Sequence, residues 1–212
     1  MGQPVANFTS VNKKNIKEGN KLTILAISSS PRWEGNSETL LFSFLNGAAH
    51  NNPAEVIRLN DLKIRPCQAC DKCTDGHCIL NDDMQLLYSK VASCSALVVA
   101  TPIYFGSLSA QLKIFIDRFQ SWWHAKYNLK KPFIPLEEGK PAFFLCVGAL
   151  KKEQYCLNAE QIVKVFLHNL NMKYKGSLCF RGYDEKDSIK NEPSAVEEAY
   201  QAGVNFASYL NN

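Results

Sequence analysis

The chain has 212 residues, of which 46% are hydrophobic and 21% charged, and its formal net charge is +4. That length suits one domain with a sizeable core and leaves two full domains cramped, while the composition excludes wholesale disorder. Lys13, Lys14, Lys17 and Lys21 lie in or just after a polar leader, so the body is nearly balanced and neither nucleic acid nor another polyanion is expected as a partner.

Residues 1–20 carry Gly, Pro, Asn and Lys without periodicity and are expected to form a flexible extension, with the domain running from 21 to 212. The leader holds no apolar run like a signal-peptide core, and no stretch is apolar enough to span a bilayer, so no membrane association and a cytoplasmic location are expected. Short apolar runs then alternate with helical patterns. Strands are expected at Leu22–Ser28, Glu55–Leu59, Ala96–Thr101, Ala142–Val147 and Tyr174–Phe180. Helices are expected at Ser37–Ala49, Asp82–Ser93, Leu108–Phe119, Glu153–Leu170 and Pro193–Leu210.

Strict alternation of strand and helix demands a parallel sheet, and runs such as Leu22 to Ile27 and Ala96 to Ala100 lack the in-out alternation of a half-exposed strand. Right-handed crossovers then give a doubly wound α/β fold whose ligands sit beyond the carboxyl ends of the strands, where strand order reverses. Gln120 to Lys140, with Trp122, Trp123, His124, Tyr127 and two prolines, is long for a connection.

Directly after the first strand the chain reads Ser28, Ser29, Ser30, Pro31, Arg32, Trp33, Glu34, Gly35, Asn36, Ser37. Hydroxyls, backbone N–H groups, the Asn36 amide, the Arg32 charge and a helix N-terminus together suit a phosphate. The plainer alternative is that Asn36 or Ser37 merely caps the helix. Neither GxGxxG nor a Walker lysine is present, which disfavours dinucleotide or ATP binding in the usual modes.

After the third strand stand Pro102, Ile103, Tyr104, Phe105 and Gly106, offering flat apolar surface beside exposed backbone, as an isoalloxazine requires; the alternative is aromatics that pack inward. Gly148, beyond the fourth strand, is small enough for a backbone to pass close to the same ring. Asp117 and Arg118 read as a helix cap or a subunit contact.

Cys67, Cys70, Cys73 and Cys78 give C-x2-C-x2-C-x4-C within twelve residues. Two-residue spacings repeated in one loop suit Fe–S ligation, whereas structural zinc more often takes two separated pairs; unmetallated thiols are the third possibility. His77 reads as a bystander. Cys94, Cys146, Cys156 and Cys179 fall on expected helices or strands and read as inert core residues, and His50, His124 and His168 as surface or satisfied side chains.

The chain resembles the NADPH-dependent FMN reductase and iron–sulfur flavoprotein branch of the flavodoxin-like superfamily. The resemblance rests on Ser30-Pro31-Arg32 with Gly35-Asn36-Ser37, on Cys67 to Met84, and on Thr101 to Gly106 with Leu112-Lys113 and Asp117-Arg118. It implies a flavodoxin-like five-stranded sheet of order 2-1-3-4-5. It further implies that Ser29, Ser30, Arg32, Asn36 and Ser37 surround the FMN phosphate, with Ser28 at the loop's start, and that Pro102 to Gly106 line the isoalloxazine. NAD(P)H as co-substrate, or a ferredoxin-like donor, and a homodimer or homotetramer with a shared flavin site are implied as well. The family's last cysteine gap is often longer than the one here. The expected activity is electron transfer from NAD(P)H or a reduced carrier through FMN and a [4Fe–4S] cluster to an acceptor. The alternatives are a non-catalytic flavodoxin-type carrier and a thiol or metal redox sensor.

Overall fold

The computed structural model describes residues 23–49 and 53–210. The expected N-terminal extension, Leu22 and His50 lie outside the described residues. Five strands, β1 (Ile24–Ser28), β2 (Ala54–Arg58), β3 (Ala96–Pro102), β4 (Pro141–Gly148) and β5 (Lys173–Arg181), form one parallel sheet of order β2-β1-β3-β4-β5. This is the flavodoxin-like arrangement, and its strand order reverses between β1 and β3.

Alternate residues of the central strands feed two cores. Leu25, Ile27, Leu97, Val99, Phe144 and Cys146 face α2 (Met84–Ser93), α3 (Ala110–Arg118), α4 (Gln120–Tyr127) and α5 (Glu153–Asn169). Ile24, Ala26, Val98, Ala100, Phe143 and Leu145 face α1 (Asn36–Ala48) and α6 (Pro193–Ala207). Burial on both faces is why these strands read as unbroken apolar runs.

Among the described residues there are six α-helices rather than the five expected. The extra one, α4, lies in the long Gln120 to Lys140 connection, where Trp122 stacks on Phe133 at 4.7 Å and meets Phe119 edge-on at 4.9 Å. Other boundaries move by a few residues for local reasons. Ser109 caps α3 by accepting from Leu112 N, which removes Leu108 from the helix. Asp82 and Asp83 stay outside α2 because their carboxylates accept backbone N–H groups of Arg65, Met84 and Lys63. Leu59 leaves β2 for a 3-10 turn, and α6 ends at Ala207 rather than Leu210.

Candidate functional site

Loops after β1, β3 and β4 meet at the carboxyl edge of the sheet, across the point of reversal. Ser28 and Ser29, at the start of the first loop, are fully buried and turn inward. Ser28 Oγ donates to Glu38 Oε1 at 2.8 Å, and Ser29 Oγ donates to Ala100 O at 3.1 Å. Ser109 Oγ lies 3.0 Å from both Ser29 O and Ser29 Oγ, so the β3 loop is tied beneath the β1 loop.

Above them, Ser30 Oγ accepts from Arg32 N at 3.1 Å, folding the loop back on itself. Gly35 is the N-cap residue of α1 and no side chain caps the helix, so neither Asn36 nor Ser37 plays that part. Among the described residues, the backbone N–H groups of Asn36 and Ser37 and the Ser37 hydroxyl have no hydrogen-bond partner. A Cβ built on Gly35 would lie 3.1 Å from Arg32 Cβ and 3.5 Å from Ser30 Oγ, so glycine lets the loop pass close to the start of α1. A helix N-terminus with unengaged amides, beside a loop that glycine lets turn closely over it, fits a phosphate.

Arg32 and Asn36 turn elsewhere. Arg32 Nη1 donates to Asp184 O at 2.8 Å, while Asn36 Nδ2 donates to Glu185 O at 2.9 Å and Asn36 Oδ1 accepts from Ile189 N at 3.3 Å. Both side chains therefore strap the loop after β5 against the β1 loop. Sequence reasoning missed Glu38, which is 2% exposed. Its carboxylate accepts from Glu34 N at 2.8 Å and pairs with Arg58 Nε at 2.5 Å, bracing the loop from behind. The Arg58 guanidinium sits 4.0 Å from the Trp33 ring centroid and so covers the loop's outer side.

The second loop presents its aromatics outward: Phe105 is wholly exposed and Tyr104 more than a third exposed. Tyr104 and Ser107 exchange backbone hydrogen bonds at 2.9 and 3.0 Å, and φ is +48° at Phe105 and +75° at Gly106. At Gly106 a side chain would meet both that strain and the Tyr155 ring, whose Cδ1 would stand 2.9 Å from a Cβ. Asn158 Nδ2 donates to Gly106 O at 3.1 Å, so the first turns of α5 hold this loop, a contact the sequence did not suggest. Ile103 N donates to Val147 O at 2.7 Å, Pro102 ends β3, and Gly148 leaves room for Ile103 while its carbonyl accepts from Gly182 N and Tyr183 N.

The four clustered cysteines occupy the irregular segment between β2 and α2, with Cys67 and Cys70 exposed and Cys73 and Cys78 half-buried. Burial and then the neighbouring Cys78, Cys70 and Cys67 push the Cys73 thiol up, as expected where four thiols share one loop. The donor set is thus gathered and of the right kind for iron and sulfide. Its spread does not match a one-ion site: among the described residues, the one group of three or more candidate ligands within 4.8 Å of one another is Cys146, Cys156 and Cys179, two of which are joined to each other. His77 packs edge-on against Phe133 at 5.2 Å.

Two expectations are corrected. Cys156 and Cys179 form a disulfide linking α5 to β5 rather than lying inert, whereas Cys94 and Cys146 are buried free thiols, each pushed up to about 12 by burial. Arg118 does not serve as a helix cap: it is 1% exposed and pairs with Asp82 at 2.6 Å. Asp117 pairs with Lys113 one turn earlier.

Residues 22–181 match the model of the NADPH-dependent FMN reductase family. An iron–sulfur flavoprotein of Methanocaldococcus jannaschii is 36% identical over 99 residues, 46% of this chain and 51% of that protein. One from Archaeoglobus fulgidus is 29% identical over 195 residues, 88% of this chain and 96% of that one. The chain thus spans about half the length of the first of these curated relatives and nearly all of the second. Among solved structures, an NAD(P)H:quinone oxidoreductase from Methanothermobacter marburgensis has a TM-score of 0.69 at 17% identity, covering 87% of this chain and 96% of that one. A flavodoxin from the domain Archaea has a TM-score of 0.54 at 12% identity, covering 90% and 100%.

Proposed function

The chain belongs to the NADPH-dependent FMN reductase family, and from that premise we propose that it is an FMN-dependent oxidoreductase drawing electrons from NAD(P)H or a reduced ferredoxin-like carrier. The observation that carries this is the uncapped N-terminus of α1 beside the outward-turned Tyr104–Gly106 loop, at the reversal of the sheet. The phosphate would be held by the Ser37 hydroxyl, the Ser30 hydroxyl and the N–H groups of Asn36 and Ser37, with the helix dipole behind them. Arg32 and Asn36 shape that pocket by fixing the loop after β5. Pro102 to Gly106 would line the isoalloxazine, with Gly148 behind Ile103.

When bound, FMN supplies the two-electron chemistry that accepts a hydride and releases electrons one at a time. The protein's own share is orientation: Tyr155 and Asn158 hold the ring loop, and Ser109 ties it to the phosphate loop. No general acid or nucleophile is required of the side chains.

Cys67, Cys70, Cys73 and Cys78 would ligate a [4Fe–4S] cluster, which supplies single-electron storage. The repeated two-residue spacing, the shared loop and the names of the two iron–sulfur flavoprotein relatives support this reading. Phe105 and Leu150, exposed on adjacent loops, favour a homo-oligomer that covers them. Anaerobically purified protein should show flavin absorbance with a broad iron–sulfur shoulder and oxidise NAD(P)H at steady state. Colourless protein that leaves NAD(P)H untouched after FMN reconstitution defeats the proposal.

A further inference from the structure

The cysteine segment has little structure of its own. Inside it, Gly76 N donates to Cys73 O and His77 N to Asp75 Oδ1, each at 2.9 Å, and Ala69 and Asp71 have positive φ. Order comes from its base. Arg118, at the end of α3, sends Nη1 to Asp82 Oδ2 at 2.6 Å and to Arg65 O at 2.9 Å, and Nη2 to Leu80 O at 3.4 Å. Asp82 Oδ2 also accepts from Arg65 N at 3.0 Å. One guanidinium and one carboxylate therefore bridge the residues that enter the loop and those that leave it.

A second ring of bonds lies beside the first. Lys63 N donates to Asp83 Oδ2 at 2.7 Å, Asp83 N donates to Lys63 O at 3.3 Å, and Gln85 Nε2 reaches Cys78 O at 3.0 Å. Tyr88 Oη donates to Arg118 O at 2.6 Å, which fixes the end of α3 against α2. A buried ion pair gains little net stability over a well-packed apolar pair, but its fork of directed bonds specifies geometry.

We infer that Arg118 is a positioning residue for the four cysteines: with Asp82 it holds the two ends of the loop together, so the thiols are pre-arranged before metal arrives. Ordering of the loop is then met by folding rather than taken from metal affinity. The importance of this arrangement rests on the cysteines being cluster ligands; the closure of the loop does not.

The test uses the full chain freed of metal. Amide hydrogen exchange of residues 63–84 is compared in the wild type, Arg118→Met, Arg118→Lys and Asp82→Asn, with FMN affinity as a control for the rest of the fold. Iron and acid-labile sulfide per chain are then measured after anaerobic reconstitution. Arg118→Met should speed exchange in 63–84 on the order of a hundredfold while the sheet stays protected. Its iron content should fall, and Arg118→Lys should recover part of both. If Arg118→Met does not fold, Asp82→Asn, which leaves the buried cation but removes its anion, should give the same local loosening. Equal exchange in all variants overturns the inference even if iron binds normally. Wild-type protein that takes up no iron, yet shows a loop protected only when Arg118 and Asp82 are intact, defeats the cluster reading and upholds the positioning role.

Discussion

Ser37 offers an amide and a hydroxyl at the mouth of α1, neither engaged by a described residue. Removing the hydroxyl alone, as Ser37→Ala, should weaken FMN binding about tenfold, the loss expected for one hydrogen bond to a charged group. Flavin fluorescence quenching would read it, and unchanged affinity would move the phosphate away from this helix. Gly35→Ala should cost more than Ser37→Ala, because its Cβ would stand 3.1 Å from Arg32 Cβ and push the loop off the start of α1. Asp82 carries a pH signature. Burial would raise its carboxyl, but the Arg118 hydrogen bond with the Arg65 and Met84 amides outweighs this and holds it below the ordinary 3.8. A depressed folded value means the stabilisation is complete above the unfolded pKa and is lost as pH falls through the lower folded one. Protection of residues 63–84, after division by the intrinsic exchange rate, should therefore drop below about pH 4 in the wild type. Asp82→Asn, already loosened at neutral pH, should lack that step.

Helices α1 and α6 approach so closely that a Cβ on Gly203 would lie 2.0 Å from Phe44 O. Gly203→Ala should destabilise the fold by about 1–3 kcal/mol, lowering Tm by roughly 2–10 °C, in a thermal melt. On the other face, Asn158→Ala would release the Gly106 carbonyl and should speed FMN dissociation about threefold to tenfold in stopped-flow displacement, with stability nearly unchanged. Helix α4 shows why some elements escape a reading of sequence. Its buried apolar side chains are Trp122 and Ala125 alone, and the prolines beyond it read as loop, so no helical stripe stands out. The strands were legible because burial on both faces leaves an unmistakable apolar run. The loops proposed to hold the phosphate and the ring stood out as composition placed after such runs. What could not be read was which donors turn inward: Ser28 and Ser29 differ from Ser37 only in three-dimensional placement. Arg118 was misread because its partner, Asp82, stands 36 residues earlier and only the packing of α3 on α2 brings them together. The Cys156–Cys179 link, 23 residues apart, was hidden for the same reason.

Across the whole molecule the cysteines divide by depth. Those between β2 and α2 reach the surface, while Cys94 and Cys146 lie in the core on the α2–α5 side of the sheet. Brief alkylation of native, metal-free protein should label Cys67 and Cys70 first, then Cys73 and Cys78, and spare Cys94 and Cys146 in peptide mass spectra. Labelling of the core pair at the same rate would contradict the packing described. No helix among the described residues is long and apolar enough to cross a membrane. The family match ends at residue 181, before α6, yet α6 covers one face of the sheet together with α1, and the loop leading to it is the one strapped by Arg32 and Asn36. Under the proposed function, the sheet's point of reversal, the α1 N-terminus and the outward aromatic loop form one site whose chemistry would depend on a phosphorylated flavin. Calorimetric titration of the apoprotein with riboflavin 5′-phosphate and, separately, with riboflavin measures that dependence directly. One equivalent of the phosphorylated form should bind per chain, at least about a hundredfold tighter than riboflavin, as loss of several charge-assisted bonds requires. Equal affinity for both, or no heat from either, would contradict the account.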